Sequence, residues 1–286
     1  MNGERLKPAC RLYVLVAAKA EVALVFRRGP SDWWHLLHWD LHKLTLTPGA
    51  WFHGNLYPRR SDISPDGRLF GYFALKTSVH SEWPDAYCAV SRVPWLEALV
   101  AWKTSGTWTW GCQFSENGEL NISACMEEKP FHGNSPNSFS ITPMNTDWPK
   151  RDVWNETKRG WRVAGQDDPL AASVPGQPNL VMRREQPASS GGVVLGLIHQ
   201  GVDFRQPGIE GVQVEYFLQD TPDNVAPLSE AVWADWDHQG RLLMATREGA
   251  LEVCQCQGAR LERVWSEDLR DRTLDPQPAP SWASRW

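Results

Sequence analysis

The sequence predicts an all-β fold, a β-propeller of five four-stranded blades, on three observations. A short turn recurs three times, as Ile63-Ser64-Pro65-Asp66-Gly67-Arg68-Leu69, Phe114-Ser115-Glu116-Asn117-Gly118-Glu119-Leu120 and Trp236-Asp237-His238-Gln239-Gly240-Arg241-Leu242. Each copy reads apolar, small or acidic, variable, polar, Gly, polar, Leu. The polar residue and the Gly after it can take the positive φ that a tight turn between twisted strands needs, so Gly67, Gly118 and Gly240 are the structural turn residues. The flanks of each copy have strand composition, and repetition on this scale is the sequence sign of a solenoid or propeller.

In chain order, residues 11–18 and 21–27 are β-branched and aromatic runs joined at Lys19-Ala20, and they form the first hairpin. Beyond the breaker Gly29-Pro30-Ser31-Asp32, residues 33–41 and 43–47 continue the first blade as far as Pro48-Gly49. Trp34, Leu37, Leu41 and Leu44 also fall at helical spacing, and the repeat context decides for strands. The second blade is residues 60–64, 68–76, 86–93 and 96–103, around the first copy of the turn. The third copy opens an equivalent unit of residues 231–237, 241–247, 250–255 and 260–265, punctuated by Gly249 and Gly258. The second and third turn glycines lie more than twice as far apart as the first and second, which leaves room for two units. One follows the Phe114 turn. The other is residues 179–184, 193–198 and 212–218, where Ser189-Ser190-Gly191-Gly192 stands in for the turn. Six blades are the alternative if residues 152–166, with Trp154 and Trp161, form strands instead of an excursion.

The expected organisation is one propeller domain over residues 1–265, with a loop-rich insertion around 127–178 dense in Pro, Asn, Ser, Gly and Trp, and a C-terminal tail at 266–286. Pro276, Pro278 and Pro280 mark the tail, and Trp282 and Trp286 are its candidate anchors. Residues 11–18 are the natural strand to lend to the last blade for closure.

The turn Ser64-Pro65-Asp66-Gly67-Arg68-Leu69, followed by Phe70-Gly71-Tyr72-Phe73, resembles the blade hairpin of TolB-like and WD-repeat-like β-propellers. The resemblance covers three of the blades and implies architecture rather than activity, since that superfamily includes scaffolds, lectins, hydrolases and phosphatases. Trp39-Asp40 and Trp236-Asp237 occur, but the second lies inside the turn, so the dipeptides of true WD repeats are not repeated at the expected places.

Composition narrows the function. In 286 residues, 29 Lys and Arg against 34 Asp and Glu leave a net charge of -5, which lacks the basic footprint of a nucleic-acid binder. No stretch approaches the ~20 apolar residues that span a bilayer, so no membrane partner is expected. Arg5, Lys7 and Arg11 precede an apolar run at 12–18, and Ala18-Lys19-Ala20 has the form of a signal cleavage site. That run is equally a first strand, and the expectation is a cytoplasmic protein with secretion as the alternative. The 6 Cys are too few and scattered for a disulfide scaffold. The 17 Trp read as wedge-filling core aromatics, with sugar-stacking platforms as the other reading.

No catalytic constellation is expected. His35, His38 and His42 would converge on a metal only on a helix; on a strand the first two point to opposite faces. Cys254-Gln255-Cys256 lacks a second pair for zinc and reads as two core thiols. Asp62 and Asp66, and Asp235 and Asp237, could be a glycosidase-like acid pair but read better as turn formers. Gly-x-Ser-x-Gly, His-Glu-x-x-His and phosphate-cradling motifs are absent. No metal or cofactor is therefore expected.

The connections between second and third strands are long and varied: residues 28–33, 77–85, 200–211 and, in the irregular unit, 126–137. Loops carry function on a rigid scaffold, so the candidate binding residues are Arg28, Trp33, His80, Trp83, His132, Asp203 and Arg205, with Trp83 and Arg205 as first anchors. The expected function is a non-catalytic platform for another protein, or a subunit of a larger bacterial-type assembly. A glycan-binding or glycan-cleaving propeller is the alternative.

Overall fold

The computed structural model describes residues 10–29, 32–76, 82–134, 140–142, 156–157, 159–165, 180–187, 192–205, 209–221 and 223–286. The regular structure of these residues is strand, apart from short helical turns such as Pro58–Arg60 and Ile209–Gly211, and it forms four largely antiparallel sheets. Among the described residues no helix is long and apolar enough to cross a membrane.

Sheet one runs β1 (Arg11–Val16), β2 (Val22–Arg28), β3 (Trp33–Asp40) and β4 (Thr45–His53), in that order. The centres of β1, β2 and β3 are buried on both faces, which is why they read as almost unbroken apolar runs. β4 does not stop at Thr47 as expected from Pro48-Gly49. It continues to His53, because it is the edge strand of this sheet, where a missing N–H is tolerated, and a register shift between His35 and Leu37 absorbs the irregularity.

Sheet two holds β5 (Asn55–Leu56), β6 (Asp62–Ile63), β7 (Leu69–Leu75), β8 (Ala86–Arg92), β9 (Ala98–Phe114), β10 (Leu120–Met126), β11 (His132–Gly133) and β12 (Ser140–Thr142). Its order is β12-β10-β9-β8-β7-β5, with β6 on β7 and β11 on β9. The 17-residue β9 explains this width. Its first half pairs with β8, from Ser91↔Ala98 to Tyr87↔Lys103, and its second half with β10, from Ala124↔Thr109 to Leu120↔Phe114. One strand thus serves two repeat units, where a stop after Lys103 was expected. The two halves share a core that includes Phe73, Cys88, Val100, Trp102, Cys112 and Ile122. The region expected as a loop-rich insertion contributes β11, β12 and β13 among its described residues.

Sheet three is β13 (Arg162–Val163), β14 (Leu180–Glu185), β15 (Val194–Val202), β16 (Val212–Thr221) and β17 (Asn224–Pro227), in that order. Of the doubtful stretch at 152–166, the described strand is the two-residue β13 on the edge of β14. Residues 188–191, which hold three of the four substitute-turn residues, lie outside the described residues. Sheet four is β18 (Ala231–Trp236), β19 (Leu242–Thr246), β20 (Ala250–Gln257) and β21 (Arg260–Asp268), a simple meander. β21 extends past Trp265, so the first residues of the expected tail are strand.

The repeated turn has one geometry. Gly67, Gly118 and Gly240 adopt φ of 73, 84 and 74°. In each copy the Gly N–H donates to the residue three before it, at 2.8, 3.0 and 3.2 Å. The second motif position, small or acidic in the sequence, proves to be a side-chain acceptor that closes the turn. Ser64 Oγ accepts from Leu69 N at 2.9 Å, Ser115 Oγ from Glu119 N at 3.2 Å, and Asp237 Oδ1 from Arg241 N at 2.8 Å.

The chain forms two compact units. One comprises Met1–Tyr13 and Glu156–Arg272, the other Val14–Asn155 and Thr273–Trp286. Within the second unit the first hairpin is tied to two copies of the turn, since Lys19 donates its backbone N–H to Pro65 O and its Nζ to Glu116 O, each at 2.8 Å. Of the expected tail, residues 273–286 belong to the same unit. There Ala283 is buried and Arg92 Nε donates to Arg285 O at 2.7 Å, while the expected anchors Trp282 and Trp286 remain 50 and 44% exposed.

Candidate functional site

The described candidate binding residues belong to the loops and strand ends of sheets one, two and three. In sheet one, Trp33 opens β3 and is held by backbone. Gly29 N donates to Trp33 O at 2.8 Å, Gly54 N donates to Asp32 O at 3.2 Å, and Trp34 Nε1 donates to Gly54 O at 3.1 Å. Gly54 has φ +144°, and a Cβ there would stand 2.9 Å from Leu75 O, so only glycine lets the chain pass this point. Strand alternation puts Trp33 and His35 on one face, opposite His53 and Trp51 of β4. The rings meet in pairs. Trp33 and His53 lie 4.9 Å apart at 39°, and His35 and Trp51 stack at 4.1 Å and 6°. His35 is buried, Trp33 and Trp51 are half-buried, and His53 is exposed. Across β2, Arg27 pairs with His35 and is itself buried, donating to Gly29 O at 2.6 Å. Arg28 lies on the opposite face, with its guanidinium 5.5 Å from the Trp34 ring and 3.4 Å from Asp32.

In sheet two, Trp83 and His132 come together. Trp83 packs against Tyr87 at 5.1 Å, Phe131 at 5.1 Å and His132 at 5.2 Å. His132 sits on β11, paired with Ala101, and its Nε2 is 3.0 Å from Ala98 O. Burial pushes the Tyr87 phenol up to about 12. Trp83 is half-buried and Phe131 is 39% exposed, so this cluster is a packed patch with one edge in water. His80 lies outside the described residues.

In the other unit, Asp203 and Arg205 brace a loop tip. Asp203 N donates to Gly211 O at 2.8 Å, and Arg205 donates both its backbone N–H and Nε to Asp203 Oδ1 at 3.0 Å. The hydrogen bonds from Arg205 hold the Asp203 carboxyl below the usual carboxylate range. Between them Phe204 is 82% exposed, the most exposed large apolar side chain among the described residues.

Compared with known proteins, the chain matches no family model and no curated sequence.

The remaining sequence candidates disperse. β3 is a strand, so His35 and His38 face opposite ways, while His42 lies in the following turn, 3.1 Å from Glu21. Burial lowers the His38 imidazole from its ordinary value. Cys254 is buried and Cys256 half-buried, and burial pushes their thiols up to about 11 and about 12. Asp66 and Asp237 are turn formers, accepting Arg68 N at 3.1 Å and Gln239 N at 2.9 Å. Asp62 and Asp235 are not. Asp62 Oδ2 accepts Phe114 N at 2.9 Å, tying β6 to β9, and Asp235 is buried in an ion pair with Arg184 of β14. Burial raises the Asp235 carboxyl despite Arg184. In the same unit, Tyr13 Oη donates to buried Glu156 at 3.3 Å.

Sequence reasoning missed Phe204, Phe131, Trp51 and His53. Phe204 had a signal, a lone aromatic between opposite charges in a polar loop. Trp51 and His53 have none, because they follow Pro48-Gly49, a pair that reads as the end of the strand.

Proposed function

We propose that the chain is a five-bladed β-propeller of TolB-like architecture that presents the loop ends of its blades to another protein. Sheets one and four supply one four-stranded blade each, and sheet three supplies one with an added edge strand. The dual pairing of β9 supports reading sheet two as two blades, which brings the proposed count to five. The Lys19 bonds to Pro65 and Glu116 are what blades packed side by side require of their turns. All six cysteines are free thiols, which suits a reducing cytoplasm.

The observation that carries the reading is Phe204. A large aromatic held in water by a braced loop costs solvation and supports no core, and such residues anchor protein interfaces. Arg205, 91% exposed on its side chain, flanks it as a second anchor. The test is partner capture from the native host with the wild-type chain and the Phe204→Ala and Arg205→Ala variants as separate baits. A protein retained by wild type should bind Phe204→Ala at least about tenfold more weakly, a loss of ~1.4 kcal/mol, with the melting temperature unchanged. A partner held equally by these variants but lost on changing Glu116 or His238 would place the working surface at the turn end instead.

A further inference from the structure

We propose that the Trp33, His35, Trp51 and His53 quartet on sheet one is a binding subsite for a neutral pyranose. Binding a sugar at this face is separate from the protein contact at the Phe204 tip, which lies in the other compact unit. The argument begins with the stack of His35 and Trp51. Because His35 is buried and the two rings are parallel at 4.1 Å, one indole face is covered, while Trp51 as a whole stays half-buried and open in part to water. A second half-buried indole, Trp33, occupies the diagonal corner of the same face, and the exposed imidazole of His53 stands against it. Diagonal neighbours across a strand pair sit roughly 7–8 Å apart, close enough for one ring-sized ligand to touch both.

Ring chemistry then selects the ligand. The C–H face of a pyranose carries slight positive charge and packs on the negative face of an indole, while its hydroxyls need a donor and acceptor beside it. A neutral imidazole supplies both, one on each nitrogen. A cationic ligand would also favour indole faces, but the quartet itself contributes no carboxylate to pair with one. The platform is also fixed before any ligand arrives, since Gly29, Gly54 and Asp32 clamp the start of β3 by backbone hydrogen bonds, so little ordering cost falls on binding.

The site draws on the stretch of sequence with the densest mixture of Trp and His, whose histidines do not converge on a metal. The experiment uses the full chain and an array of neutral oligosaccharides, followed by titration of any hit against intrinsic tryptophan fluorescence. Expected are saturable binding of at least one neutral glycan, about a tenfold or greater loss in Trp51→Ala, partial retention in Trp51→Phe, and no change in Trp282→Ala, which removes an exposed indole elsewhere. Circular dichroism of Trp51→Phe guards against reading misfolding as lost contact. The proposal is overturned if no neutral glycan binds, if a hit binds Trp51→Ala as tightly as wild type, or if choline binds at this quartet and the sugars do not.

Discussion

The two ends of the sheets solve opposite problems. At the turn end, three separate stretches of chain adopt one conformation, each closed by a backbone hydrogen bond donated by a glycine N–H and by a side-chain acceptor at the second motif position. At the other end the described residues share no common motif. Trp33 pairs with a histidine from the next strand, Trp83 is wedged among Tyr87, Phe131 and His132, and Phe204 stands in water between two charges. The difference teaches that the turn end is held by local stereochemistry and the loop end by whichever neighbours the fold supplies. Substitutions should therefore cost stability at the first and binding at the second, with Trp83 as the exception that tests the rule.

The largest effect is expected at Gly67. Its φ of +73° penalises any side chain, and a Cβ there would lie 2.9 Å from Val22 Cβ, so Gly67→Val combines strain with overpacking and should cost about 3 kcal/mol in chemical denaturation. Next comes Trp83→Ala. If the indole mainly packs its loop against Tyr87, Phe131 and His132, about 2 kcal/mol should be lost, less than for a fully buried Trp because this one is half in water. Unchanged stability together with lost partner binding would move Trp83 from packing to recognition. Gly118→Val should cost less than Gly67→Val, roughly 1–2 kcal/mol, because nothing lies within 4 Å of its added Cβ and only the backbone strain remains. Equal melting temperatures for the two valine variants would show that the contact with Val22 does not matter. The smallest effect belongs to Phe204→Ala, expected within about 0.5 kcal/mol of wild type by urea titration, since the side chain is 82% exposed. A larger loss would mean that Phe204 supports its own loop through Gly211, and the contrast between the ends would weaken.

Much of the scaffold was legible because it depends on near neighbours in sequence. Sheet four follows the predicted segments nearly strand for strand, since each of its strands is joined to the next by a short connection. β9 was legible only in part. Ser105-Gly106 reads as a break, yet the chain bulges there and goes on, because pairing to β8 on one side and β10 on the other rewards continuation. β4 was shortened for a similar reason, as Pro48 breaks a central strand and not an edge one.

What the sequence by itself determined is the all-β class and the three turns with their glycines. A positive φ and a side-chain acceptor within five residues are local requirements, and local requirements leave local signatures. The tertiary structure alone decided which aromatics are packed and which are displayed. Trp83 and Phe204 are each one aromatic in a polar loop, and nothing in either stretch says that one will meet the ring of Phe131, from a distant part of the chain, while the other meets water. The same holds for Trp51, whose partner His35 is set by the register of β3 on β4. Exposure is a property of what else arrives at a position, and that is decided by pairing between strands remote in sequence.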